Sequence, residues 1–218
     1  MLLDQAFAKG VAGRHETFTP RYGWIKKGFD RCLQNPHVFN DEDALEQLGV
    51  GKNMVRSIRF WCLFFKILEN AEGSGELRPT DFGRKLLDTE KGWDPYLEDP
   101  ASLWLLHWQI FTPPLLGVSW NMAFSFLTLP SFTLRELAEG IRNKAAEIEG
   151  FKSIAKSSFE KDASCLIRMY FPGNEKEGGP IRCPFTSLAL LETAPGASQE
   201  HRYRFSLAPQ KTLPNEIF

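Results

Sequence analysis

The chain carries no excess of charge of either sign: 26 Lys and Arg stand against 27 Asp and Glu, a formal net charge of −1. That balance excludes a protein that coats polyanions through bulk charge, while leaving room for a local basic face. Cysteine is sparse, at Cys32, Cys62, Cys165 and Cys183, with no Cys-x-x-Cys and no closely spaced Cys/His set. Zinc-site spacing is therefore absent. No disulfide framework is expected, and the chain reads as cytoplasmic. Met1 to Val11 lacks a basic stretch leading into an apolar one, so it does not read as a signal peptide.

Familiar catalytic signatures are also missing. No Asp or Glu is followed two positions later by Lys, which removes the acid-x-lysine core of many restriction-type nucleases. A His-x-His pair, a P-loop and a dinucleotide-binding glycine fingerprint are absent too. From Ala101 to Leu134 there is no Lys, Arg, Asp or Glu, a stretch long enough to span a bilayer. Pro113-Pro114 interrupts it, however, and Trp104, Trp108, Gln109, Ser119, Trp120 and Asn121 are scattered through it. Two buried helices are the expected outcome, not a membrane span.

What the chain does have is 218 residues with 43% hydrophobic and 13% aromatic side chains. A chain of this length buries roughly 70% of its unfolded surface, so a core is the ordinary home for those rings. A helix is expected after Pro20, running through Trp24, Phe29 and Leu33 until Asn35-Pro36 stops it. Asn40 is read as the cap of a short acidic helix, Asp41 to Leu48, ending at Gly49. Lys52 to Phe65 follows as a helix with Met54, Ile58, Trp61 and Phe65 on one face and Lys52, Arg56 and Arg59 opposite. Lys66 to Glu69, a turn at Glu72 to Gly75, and Glu76 to Arg78 predict a hairpin. Thr80 is placed to cap a helix through Phe82 and Leu86-Leu87.

The order then recurs. Thr133 with Glu136 spells a capping box for a helix to about Glu147, and Ser157 with Glu160 spells another. The second of these helices sets Phe159, Ala163, Leu166 and Tyr170 against Lys161, Ser164 and Arg168. After a Gly/Glu/Lys loop, Leu190 to Thr193 and Arg202 to Phe205 predict a hairpin turning at Pro195-Gly196. The fold class expected is mainly α with small β-hairpins (α+β), as tandem winged helix-turn-helix units joined by a helical bridge. Its segments are a winged-helix DNA-binding unit over 1–92, a helical aromatic bridge over 93–130 and a second winged-helix-like unit over 131–218.

Lys52, Arg56 and Arg59 suit phosphate neutralisation, and Asn53 is placed to reach a base edge. The bland alternative is a solvated helix face. Arg21, Lys26, Lys161 and Arg168 are further DNA-binding candidates, although Glu160 and Asp162 dilute the field around the last two. For catalysis, His15, Glu16 and Asp94 are the groups one would recruit for metal-assisted phosphodiester cleavage, with Mg²⁺ or Mn²⁺. Against that, His15 suits a packing role and Asp94-Pro95 a turn.

Three stretches are distinctive: Arg14-His15-Glu16-Thr17-Phe18 with Arg21-Tyr22-Gly23-Trp24, Leu48 to Arg59, and Gly92-Trp93-Asp94-Pro95-Tyr96-Leu97-Glu98-Asp99-Pro100. Together they resemble a bacterial family of formerly unknown function found in DNA phosphorothioation gene clusters. The likeness runs from about Gly13 to the C-terminus and is loose after Pro172. It implies a DNA-binding protein of an anti-phage modification system that nicks one strand of double-stranded DNA for sulfur insertion. Implied partners are a cysteine desulfurase, an ATPase and a sulfur-activating protein. The competing expectation is a non-enzymatic winged-helix adaptor or transcriptional regulator. The oligomeric state is open, a homodimer included.

Overall fold

The computed structural model describes residues 2–71, 73, 75–173, 183–195 and 201–214. It is mainly helical, with two small antiparallel sheets of two strands each. A short helix α1 (Leu2–Ala6) precedes a loop, then α2 (Trp24–Gln34), α3 (Ala44–Leu48) and α4 (Lys52–Phe64). Strands β1 (Leu68–Asn70) and β2 (Leu77–Pro79) pair with Glu69 opposite Arg78, and α5 (Asp81–Leu87) follows. The charge-free stretch supplies α6 (Pro100–Gln109) and α7 (Val118–Asn121), which widens into a π-turn over Met122–Phe126. Helices α8 (Leu134–Ala145) and α9 (Lys156–Tyr170) lead to β3 (Leu191–Thr193) and β4 (Tyr203–Phe205), paired with Glu192 opposite Arg204. No helix among the described residues is long and apolar enough to cross a membrane.

Local chemistry explains most boundaries. Gly49 takes the left-handed conformation (φ 62°) that ends α3, and the N–H groups of Gly49 and Val50 close back on the carbonyls of Glu46 and Leu45. Thr80 accepts the Gly83 N–H at 2.9 Å and so starts α5. Thr133 and Glu136 form the full reciprocal capping box on α8. Two caps differ from expectation. Asp43, not Asn40, precedes α3, because residues up to Asp43 are occupied by turns in which Asp41 accepts from the Asn35 amide. On α9 the helix begins at Lys156, so Ser157 and Glu160 lie inside its first turns and no side chain caps it. The expected turns at Glu72 to Gly75 and Pro195-Gly196, and most of the loop after Pro172, lie wholly or partly outside the described residues.

One hydrophobic cluster draws on all three expected segments, from Phe7 to Leu191. Its centre is Trp61, fully buried, with the rings of Phe60, Phe64, Phe65 and Trp120 between 5.0 and 5.7 Å away. Phe65 in turn stacks on Phe185 at 4.8 Å. Helix α4 therefore turns much more than one stripe inward: Val55, Ser57, Ile58, Phe60, Trp61, Cys62 and Phe64 are all buried. Helix α2 approaches α4 at Gly28, where a Cβ would stand 2.5 Å from the Cys62 sulfur, so only glycine admits that packing. All four cysteines are buried and unpaired. Burial pushes the Cys32 thiol up to about 11 and Cys183 up to about 12.

Candidate nucleic-acid interface

Only the first turns of α4 are open. Lys52, Asn53 and Arg56 are exposed there, while Arg59 is half-buried. Arg56 lies 3.6 Å from Glu16, so the basic face does have an acidic neighbour, supplied by the N-terminal loop and not by its own helix. Arg59 donates to the Asn70 side-chain oxygen at 3.3 Å, and burial holds its guanidinium below the usual range.

The other cations have different tasks. Arg21 stands over the rings of Phe18 and Trp24, at 5.4 and 5.0 Å. Lys26 is 7% exposed, and its ammonium donates to Asp30 at 2.6 Å and Thr89 at 2.8 Å. It sits in the inward stripe of α2, beside Ile25 and Phe29. Lys161 is exposed on α9. Arg168, also exposed, donates to the Thr17 carbonyl at 2.6 Å and so ties α9 to the N-terminal loop.

His15, Glu16 and Asp94 are not gathered on one site. His15 is fully buried, and its Nε2 donates to Asp162 Oδ1 at 2.9 Å among the rings of Phe60, Trp61 and Trp120. Glu16 faces Arg56. The Asp94 carboxylate accepts the N–H groups of Glu98 and Asp99 at 3.0 and 2.9 Å and the Ser102 hydroxyl at 2.7 Å, which folds the 94–102 turn. Among the described residues no three His, Cys, Asp or Glu side chains come together to hold a metal ion.

Two groups escape a sequence reading. The first is Asp162, 1% exposed, which accepts the Gly13 N–H at 2.8 Å, His15 and the Ser119 hydroxyl at 2.5 Å. Its signal was its position: an acid between Phe159 and Leu166 on the apolar stripe of α9 needs buried donors. The second is Lys66, the residue at which α4 ends. It is a non-glycine residue in the left-handed conformation (φ 56°), with its N–H on the Leu63 carbonyl and the Ile67 N–H on that of Cys62. Its ammonium is held by the carbonyl and hydroxyl of Thr112.

Lys66 borders a cleft of about 500 Å³ between the β1–β2 hairpin, the end of α4 and the segment around Pro114. Lys9, Arg59 and Arg78 line the same cleft. Large aromatic side chains are exposed elsewhere, at Tyr22, Trp93, Tyr96 and Trp108.

Two solved structures share this architecture. A crystal structure of SspB superposes with a TM-score of 0.85 at 33% identity, covering 98% of this chain and 64% of that one. A magnesium-ion-bound crystal structure of SspB superposes with a TM-score of 0.84 at 34% identity, covering 93% of this chain and 62% of that one. The chain thus spans less than two thirds of the length of either SspB chain. No curated protein sequence matches it. Residues 13–218 match the family described as "Protein of unknown function (DUF4007)", and the chain belongs to that family.

Proposed function

We propose that this protein is a DNA-binding component of a DNA phosphorothioation system, with α3, α4 and the β1–β2 hairpin acting as a winged helix-turn-helix. The observation that carries the reading is the start of α4, where Lys52, Asn53 and Arg56 stand exposed behind a glycine turn and ahead of a hairpin. In that order of elements the second helix enters the major groove by its N-terminal residues. The likeness to SspB over 98% of the chain supports the phosphorothioation setting. The partners implied are double-stranded DNA and the desulfurase, ATPase and sulfur-activating proteins of the same system.

Nicking of one strand is the activity this family resemblance implies, and it has a physical rationale: exchanging a non-bridging phosphate oxygen needs access to one linkage without severing the duplex. A related SspB has been crystallised with magnesium. Mg²⁺ is usually held by one or two carboxylates together with water or phosphate oxygens. The described residues do not fit a larger protein cage. His15, Glu16 and Asp94 already have the structural tasks given above, which favours the second reading, a DNA-binding adaptor without strand scission.

A supercoiled plasmid incubated with the protein and Mg²⁺ or Mn²⁺ separates the two readings. Conversion to open circles supports the nicking component. Saturated binding with all plasmid still supercoiled supports the adaptor, and absence of any duplex binding overturns both.

A further inference from the structure

The cleft beside the hairpin carries charge that the described residues leave without a full set of counter-charges. Four cationic side chains line it, and its one carboxylate among the described lining residues, Glu69, is bound by Arg78 at 2.8 Å. Lys9, Arg59 and Lys66 form no ion pair among the described residues. Among the described residues Arg59 donates to the neutral Asn70 oxygen, and Lys66 to the neutral oxygens of Thr112. Half-buried cations without counter-charge are costly, and an arriving anion relieves that cost.

We propose that this cleft is a phosphate site, in which Arg59 and Lys66, flanked by Lys9, grip a backbone phosphate of a DNA strand. The proposal rests on the DNA-binding reading above and deepens it. Lys52, Arg56 and Arg59 follow at i, i+4 and i+7, so they form one stripe about 10 Å long that runs from the exposed start of α4 into the cleft. A strand lying along that stripe meets the cleft next. The Lys66 backbone supports a positioned role. A left-handed lysine costs about 1 kcal/mol or more, and such strain persists where surroundings hold it. Here the Schellman bonds and Thr112 do so. Desolvation lowers Lys66 to about 8, so its positive charge, and with it the grip, weakens as pH rises through that value. The other charged side chains that line the cleft beside it are Lys9, Arg59, Glu69 and Arg78.

The test uses the full chain with Arg59→Gln and Lys9→Gln, and Arg59→Lys as the charge-preserving control. Duplex affinity is read by fluorescence anisotropy between 50 and 200 mM salt, and inorganic phosphate is titrated while following the Arg59 Nε–H resonance. Each lost phosphate contact removes about 0.9 from the log–log salt slope, which narrows the affinity ratio across that range about 3.5-fold. The expected result is that narrowing in both Gln variants, its recovery in Arg59→Lys, and a phosphate-induced shift at Arg59. Unchanged slopes and an unmoved Arg59 resonance, with wild-type binding to DNA intact, would overturn the cleft and leave the DNA reading standing. A phosphate shift at Arg59 without any duplex binding would overturn the DNA reading and the strand as source, and keep the cleft as a site for free phosphate compounds. Lys9 is exposed, so its variant keeps the test valid should Arg59→Gln unfold.

Discussion

The two helix–helix–hairpin regions, Trp24 to Leu87 and Leu134 to Phe205, share an element order but differ in how the helix ahead of the hairpin carries its charge. In the first, the exposed start of α4 keeps Lys52 unpaired among the described residues and gives Arg56 only a 3.6 Å neighbour. In the second, Lys156 lies on Glu160, Arg202 on Glu136, Arg204 on Glu192, and Arg168 reaches the Thr17 carbonyl. Its hairpin also folds back, through the Phe132–Tyr203 bridge, onto the segment ahead of α8. Repeating an order of elements therefore does not repeat a surface: the start of α4 presents its cations, whereas α9 and the second hairpin engage most of theirs.

The sharpest way to break that contrast is to remove the scaffold's main tie. Asp162→Ala strands His15, Ser119 and the Gly13 N–H in the interior. The expected loss is about 3 kcal/mol or more in urea unfolding, since three donors lose their acceptor at about 1–3 kcal/mol for a buried one. A loss below 1 kcal/mol would make the second region dispensable to the N-terminal loop. Next in size, Lys52→Ala with Arg56→Ala should weaken duplex binding on the order of tenfold near physiological salt. Lys161→Ala should change it less than twofold. Equal losses from the two regions would erase the contrast.

The contact between α6 and the second region should respond to acid. His107 on α6 bonds the Tyr170 hydroxyl of α9 at 2.8 Å, and burial lowers its imidazole to about 3. The unfolded chain takes up that proton near 6.5 while the folded chain refuses it until about 3, so stability falls as pH drops through this window. The slope is at most about 1.4 kcal/mol per pH unit from this one group. His107→Gln should flatten it in pH-dependent thermal unfolding. Smallest of all, Thr80→Ala and Thr133→Ala should each cost about 1 kcal/mol, one cap from each region. A large inequality between them would show that the regions differ in helix stability and not in surface alone.

The sequence revealed what is local. Gly49, Thr80 and the Thr133–Glu136 pair are short-range signals, and they end or start helices where their chemistry predicts. The same signals misled at Ser157 and Asn40, where a matching spacing was outvoted by the surrounding chain. Of the candidate interface, the exposed Lys52, Asn53 and Arg56 followed from helical periodicity. Lys26 did not, because a lysine stem on an apolar stripe looks the same in sequence whether its ammonium snorkels outward or meets Asp30 and Thr89. The cleft was invisible for a deeper reason. Lys9, Arg59, Lys66 and Arg78 come from different elements, and only tertiary packing brings them to one wall.

The Asp162 junction also sets a timetable. Gly13 and His15 wait for a partner 149 and 147 positions further along the chain. At ribosomal speeds of about 5–20 residues per second, that separation amounts to roughly 7–30 s of synthesis. During that interval the nascent N-terminal loop has no carboxylate to close on. The loop that emerges first thus cannot close until α9 has been made, although most of the chain, Trp61 and Trp120 included, has by then left the ribosome.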